Sequence, residues 1–421
     1  MDSSAEGNSA LRQPALKFIF ITLLLDILGI GIIVPILPGL VKELLQGGVS
    51  DAAKVYGILG ALYALMQFIF SPMLGALSDR FGRRPVILTA LFGSGLDYFL
   101  LAFAPTLAWF VVGRIIAGIT AANFSAATAY IADISPPEKR AANFGLVGAA
   151  FGLGFAIGPA LGGLLGQTDL RLPFIVAGVL TLLNWLYGYF VLPESLPPEK
   201  RRSFSIARCN PITALISLRS RSIVMWLAVI YLLYQISHQV YPAIWALYTE
   251  NRYGWTPRQI GMSLAFVGVL AAIVQGGLTR RIMPFLGERR AVIVGLVVTM
   301  VAYLAYGIAP EGWMVYAIIV VGAFGGLCQP AMQGIISKSV GDDEQGQIQG
   351  SLSSLSSLAS IIGYLGATRL FAHFVSDKVP TKIPGAGFFA SAILAAIAIG
   401  VALWLFARIK DSSTPQPPSQ S

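Results

Sequence analysis

Charge is what this sequence has least of: Asp, Glu, Lys and Arg make up 12% of its 421 residues, where soluble domains carry about a quarter. That scarcity excludes an ordinary soluble fold. Cysteine and histidine are nearly missing too, with two of each. Cys209 falls in a basic loop and Cys328 in an apolar run, so no disulfide framework is expected. Two histidines are too few for the common metal sites. No nucleophile–base constellation and no phosphate loop appear, so neither an enzyme nor a bound cofactor is expected. The net charge of +9 sits in short turns between apolar runs, which argues against nucleic acid as a partner.

What is present is apolar. Hydrophobic residues are 56% of the chain and its mean hydropathy is +0.73. Twelve apolar runs stand out, at about 16–41, 55–78, 85–104, 107–131, 141–166, 172–192, 223–249, 258–279, 290–309, 313–337, 345–372 and 386–408. Each is long enough to cross a bilayer as a helix. The first run contains Asp26, Pro35 and Pro38 and is too long for the core of a cleaved signal. The reading is an all-α membrane protein with twelve transmembrane helices. Its segments are an N-terminal tail (1–15), a six-helix bundle (16–192), a loop (193–222), a second six-helix bundle (223–408) and a C-terminal tail (409–421). The final SSTPQPPSQS is polar and expected to be disordered.

Orientation follows from the basic residues. With both tails cytoplasmic, 20 of the 29 Lys and Arg fall on that side, seven on the other, and two (Arg114 and Arg369) within runs. Cytoplasmic loops carry such an excess, so both termini are placed inside.

The two halves echo each other. LSDRFGRRPVIL after run 2 has a worn counterpart in MPFLGERRAVIV after run 8, and FAIGPALGG in run 5 in SIIGYLGAT of run 11. Gly82 and Gly287 are 205 positions apart, and so are Gly158 and Gly363. Six spans separate each pair, so the repeats share one membrane orientation. Parallel halves with a site between them near the midplane are a transporter plan.

Three charges lie at bilayer depth: Asp26 in run 1, Asp97 in run 3 and Arg114 in run 4. Each charge there costs about 2.5–3.5 kcal/mol on insertion scales, so each calls for a function or a partner. Arg114 keeps its proton. Two acids against one permanent cation leave one acid poorly compensated and able to exchange a proton as access alternates. Which acid pairs with Arg114 is open at this stage, and a static buried ion pair is the plainer alternative.

The turn after run 2 holds Asp79, Arg80, Arg83 and Arg84, with Gly75 and Gly82 read as permitting a tight turn. These charges set topology. They are also read as a conformational latch, with Asp79 meeting a helix N-terminus of the other half and the arginines meeting Asp133. In run 5, Gly154, Gly158, Gly162 and Gly163 around Pro159 make a smooth face for a neighbouring helix. Gln235, Ser237, His238 and Gln239 in run 7 and Gln275 in run 8 suit either a polar ligand or interhelical bonds, and Gln235, His238, Gln239 and Gln275 are taken, with Asp97, as the substrate-binding candidates. Trp245, Trp255, Trp313 and Trp404 lie near span ends and are read as interface anchors.

On these residues the chain resembles the major facilitator superfamily, its drug/proton antiporters and, within them, the bacterial tetracycline/proton antiporters. GALSDRFGRRP is similar to the loop motif after helix 2, GRIIAGITAA to that of helix 4, and GFAIGPALGG to the antiporter motif of helix 5. ALYALMQFIFSPMLG, LDYFLLAF, IWALYTENRYGW and DDEQGQIQGSLSSL resemble the tetracycline branch. The resemblance implies proton and drug handling by Asp26 and Asp97, loop-motif roles for Ser78, Asp79 and Arg83, and a substrate contact by Gln275. Where that branch carries a histidine and an aspartate, this chain has Ala271 and Thr299. Coupling would then rest on Asp26 and Asp97.

The expected function is proton-coupled export of a tetracycline-like or other amphipathic small molecule by a monomer in the bacterial inner membrane. Its partners would be the solute, protons and the bilayer. Competing readings are uncoupled or non-drug export, and a non-transporting sensor or scaffold docking through 193–222.

Overall fold

The computed structural model describes residues 3–121, 123–135, 137–201, 210–212, 222–339 and 345–411. Cys209, most of the loop 202–221 and the tail after 411 lie outside it. Twelve helices are long and apolar enough to span a membrane. They are α1 (Leu16–Ile33), α2 (Val49–Phe81), α3 (Arg83–Ala102), α4 (Leu107–Ile134), α5 (Val147–Gly166), α6 (Leu172–Val191), α7 (Ile223–Tyr253), α8 (Pro257–Leu286), α9 (Glu288–Ile308), α10 (Gly312–Lys338), α11 (Ile348–Val375) and α12 (Ala386–Arg408). Helix is the element that satisfies every backbone group within its own segment, as lipid demands.

Some boundaries differ from the sequence reading. The first run breaks after Ile33, at Val34–Pro35–Ile36, and resumes as a separate helix, Leu37–Leu45. Proline cannot donate into a helical ladder, which accounts for the break. Helical backbone reaches back to Ser3, through most of the segment read as the N-terminal tail. Gly82 takes φ +105° and makes the sharp turn between α2 and α3, whereas Gly75 lies inside α2 and turns nothing. Trp245 (1% exposed) and Trp255 (8%) are core residues rather than interface anchors. The Trp245 indole N–H donates to Ser263 Oγ at 3.0 Å, which is how a buried indole is accommodated. Trp313 and Trp404 are exposed.

The bundles meet through α2 against α11 and α5 against α8. Small residues make the approach close. A Cβ on Gly163 would come 3.0 Å from Gly261 Cα, and one on Gly268 would come 2.6 Å from the Phe155 carbonyl carbon. Gly154 and Gly158 serve a different contact, with α1: a Cβ on Gly158 would come 2.7 Å from the Leu28 carbonyl oxygen. Gly162 likewise abuts Ile32, and the Pro159 carbonyl faces Gly261. One face of α5 therefore packs within its bundle and the other packs across to the second.

The two ends of the molecule differ. At the end where α2 begins and α7 and α11 finish, three polar links join the bundles. Lys42 Nζ meets Glu250 Oε1 at 3.0 Å, Ser50 Oγ donates to the Ala372 carbonyl at 2.8 Å, and Tyr56 OH donates to the Pro242 carbonyl at 2.9 Å. That end is closed. The opposite end carries the arginine-rich turns.

Candidate functional site

A cavity of about 1400 Å3 lies between the bundles, running from Leu37 and Val34 to Gly75, Ala132, Asn210 and Gly350 at the basic end. Asp26, Asp97 and Arg114 all line it. Asp97 is 2% exposed, and its Oδ1 has no hydrogen-bond partner among the described residues. It lies against α4 at Gly113, where a Cβ would come 2.9 Å from Oδ1. Arg114, the next residue, holds its guanidinium 5.9 Å from the Tyr63 ring centre, with Nε also unbonded. A buried polar atom left unbonded costs about 1–3 kcal/mol, so such atoms persist where something needs them. Tyr63, Gln67 and Tyr98 complete this wall.

The facing wall is α11. Ser353, Ser354, Ser356, Ser357, Ser360 and Tyr364 line the cavity, while Leu352, Leu355 and Ala359 are buried behind them. The serines recur at helical spacing in SLSSLSSLAS, so this polar stripe was legible in the sequence and was overlooked. Gln235 and Gln239 do not line the cavity. Gln235 Nε2 donates to Ser356 Oγ at 3.0 Å and Gln239 Nε2 to Ser360 Oγ at 2.8 Å, so both amides fix α11 against α7. Of the two sequence alternatives, the structure places both in interhelical bonding.

His238 is also away from this cavity, stacked on Tyr234 with ring centres 5.7 Å apart and with Nδ1 3.2 Å from Tyr303 OH. Ser237 Oγ donates to the Tyr234 carbonyl within its own helix. Gln275 is exposed on a π-helical stretch, Ala272–Leu278, that interrupts α8, and its Nε2 lies 3.1 Å from where a Gly326 Cβ would sit. It too is outside the cavity wall. Thr299 donates to the Gly295 carbonyl at 2.8 Å, and Ala271 immediately precedes the π turn.

At the basic end, Arg83 is nearly buried and gathers the loop charges. Its Nη1 lies 2.6 Å from Asp79 Oδ1 and 2.7 Å from Ser78 Oγ, and its Nε lies 3.1 Å from Asp133 Oδ2. The partner found for Asp79 is thus an arginine of its own turn, where the sequence reading looked to a helix N-terminus of the other bundle. Arg84 donates to the Tyr189 carbonyl at 2.7 Å, and Arg80 lies over the Phe81 ring. Sequence reasoning missed Glu194 and Ser195. Glu194 Oε1 accepts from the Arg83 backbone N–H at 2.9 Å, and Ser195 Oγ donates to Asp133 Oδ2 at 3.1 Å. An acid at the start of α3 answers the exposed N–H groups there. In the sequence, PESLPPE read only as loop.

A pocket-lining carboxylate pair with one arginine, a hydroxyl wall opposite, and one closed and one open end suit the passage of a solute.

Comparison with known proteins agrees. Residues 19–364 and 285–421 match the Major Facilitator Superfamily model. The chain is 44% identical over 362 residues to the class C tetracycline resistance protein of Escherichia coli, covering 86% of this chain and 91% of that protein. It is 31% identical over 359 residues to multidrug resistance protein 2 of Bacillus subtilis (strain 168), covering 82% and 87%. A bacterial homolog of the human lysosomal transporter Spinster, in an inward-facing and unoccupied conformation, superposes with a TM-score of 0.78 at 16% identity, covering 96% of this chain and 99% of that one. This chain is a multi-pass membrane transporter and belongs to the Major Facilitator Superfamily.

Proposed function

We propose that the protein is a proton-coupled exporter that carries a tetracycline-like or other amphipathic, hydroxyl-bearing small molecule out of the cytoplasm by alternating access. The observation that carries this reading is Asp97, buried on the cavity wall with an unbonded carboxylate oxygen beside the permanent cation of Arg114. A carboxylate so placed is the group to be protonated from one side and deprotonated towards the other, with Asp26 lining the same wall. Its relatives in the tetracycline and multidrug resistance groups support drug export as the direction of use.

The basic end is the cytoplasmic one, by the excess of Lys and Arg there. In this conformation the cavity therefore takes solute from the cytoplasm, and both termini lie on the cytoplasmic side of a bacterial inner membrane. Tyrosine faces on one wall and serine hydroxyls on the other fit a ring system edged with oxygen functions. A full charge crossing 100 mV supplies about 2.3 kcal/mol, so one proton per cycle sustains a useful but limited gradient. The monomer contains the whole pathway.

Everted vesicles test this reading. Drugs of several classes, tetracycline among them, are added to energised vesicles and proton release is recorded with solute uptake, for wild type and Asp97→Asn. Wild type is expected to couple both and Asp97→Asn neither. Coupled uptake that persists unchanged in Asp97→Asn overturns the assignment, and wild-type uptake indifferent to a collapsed gradient makes the protein an uncoupled exporter.

A further inference from the structure

The repeat offset of 205 residues holds in three dimensions. α2 ends at Phe81 and α8 at Leu286, α3 begins at Arg83 and α9 at Glu288, and α4 begins at Leu107 and α10 at Gly312. Gly287 repeats the positive φ of Gly82, at +74°. Carried to the basic end, the same offset takes Arg83 to Glu288 and Asp133 to Lys338. Both couples are ion pairs: Arg83 Nε lies 3.1 Å from Asp133 Oδ2, and Lys338 Nζ lies 2.8 Å from Glu288 Oε1. The two bundles thus hold the same bridge at the same place with the charges inverted.

Helix dipoles treat the two bridges oppositely. In the second bundle the acid is in the first turn of α9 and the base in the last turn of α10, as the dipoles favour. In the first bundle the cation stands at the start of α3 and the anion in the last turn of α4, against them. The first pair leans on added partners, Asp79, Glu194 and Ser195, whereas among the described residues the side chains of Glu288 and Lys338 pair with each other alone. Asp133 has most to gain from a second cation. Lys338 has the freedom to supply one, its side chain being 73% exposed.

Parallel repeats are related by an axis along the membrane normal, so equivalent residues face each other across it. Asp133 adjoins Ala132 on the rim of the open cavity. Had the repeats kept the same charges, closing this end would bring like against like. Inversion makes the approach attractive. We propose that Lys338, positioned by Glu288, meets Asp133 across the axis when the basic end closes, and that this cross-bundle contact stabilises the closed state. The proposal needs alternating access but neither the solute nor the proton assigned above.

The test uses spin labels at Phe81→Cys and Phe285→Cys, on exposed side chains at the basic ends of the two bundles, in a Cys209→Ser, Cys328→Ala background. The short-distance fraction of the full-length protein in lipid nanodiscs reports closure of that end. Exchanging Glu288→Lys and Lys338→Glu keeps the local bridge and reverses its polarity. The exchange is expected to deplete the closed fraction several-fold and to lower turnover with little change in KM. A closed fraction equal to wild type makes the bridge a mere brace and overturns the proposal. If the exchanged protein fails to fold, the cycle of Asp133→Asn, Lys338→Gln and their double variant decides. A double variant no worse than the worse single supports the contact, and effects that multiply refute it. The distances need no substrate and no gradient, so this contact can fail while coupled export stands, and the reverse.

Discussion

The two bundles follow one plan and spend their departures from regularity differently. The first keeps charge inside apolar helices: Asp26, Asp97 and Arg114. At the repeat-equivalent positions the second has Tyr231, Ala302 and Ile319, and no acid. Among the described residues the first bundle also breaks α1 at Val34–Pro35–Ile36 and α4 at Ala121, while the second interrupts or rewinds three helices. α7 is interrupted at Gln239, α8 carries the π turn Ala272–Leu278, and α10 tightens to a 3-10 helix over Ala323–Leu327. Gln275 of the π turn abuts Gly326 of the 3-10 segment, so two of these irregularities meet. Such departures are common at functional sites. The difference suggests a division of labour, with ionic work in the first bundle and shape and hydroxyl groups in the second.

The sharpest way to break that comparison is to move the ionic work. Asp97→Asn is expected to reduce gradient-driven export by about 100-fold or more, the scale of losing a proton-transfer group. Thr299→Ala, removing a hydroxyl in the second bundle that donates within its own helix, is expected to leave proton release per solute unchanged. Comparable losses from both, measured in everted vesicles, would abolish the distinction.

Next in size is Gly113→Ala. The added methyl would lie 2.9 Å from Asp97 Oδ1 and 2.5 Å from Leu101 Cδ2. Overpacking of this kind costs about 1–3 kcal/mol. A lowered Tm with disturbed coupling is expected, whereas Gly276→Ala, with open space around it, should leave both alone.

Ser356→Ala probes the second bundle directly. It removes a partner from Gln235 and from Tyr231, whose hydroxyl lies 2.9 Å from Ser356 Oγ. Gln235 is half-buried and Tyr231 keeps Gln333 as a partner, so the loss is that of a net hydrogen bond, about 0.5–1.5 kcal/mol. A several-fold rise in solute KM with proton stoichiometry intact is the expected outcome of transport assays.

The smallest effect is expected at the closed end. Lys42 and Glu250 are each about 40% exposed, and such pairs contribute about 0.2–1 kcal/mol. Lys42→Ala should therefore shift the balance between closed and open forms of that end by less than about sixfold. The shift should shrink further in salt, as spin-label distances across this end would record.

Much of this was legible in the linear chain because bilayer-spanning helices are selected by local apolar content. Twelve runs, their order, the repeat offset and the intramembrane charges need no tertiary information to find. Ends were less legible, since a helix stops where capping and packing decide, as at Val34–Pro35–Ile36 and at Ser3. Trp245 misled because position along a span does not say whether a side chain faces lipid or the core. Gln235 and Gln239 misled for a related reason. An amide in a span must find a partner, and only α11 could show that the partner was serine rather than solute.

By itself, then, the sequence determined a twelve-helix membrane protein with two parallel repeats and an unbalanced set of charges at bilayer depth. Local hydrophobicity and charge carry that information residue by residue. The tertiary structure alone decided which end is closed, that α11 supplies the wall facing Asp97, and that Arg83–Asp133 and Glu288–Lys338 are one bridge with its charges exchanged. Those are relations between residues tens to hundreds of positions apart, and only the packing of the helices brings them within bonding distance.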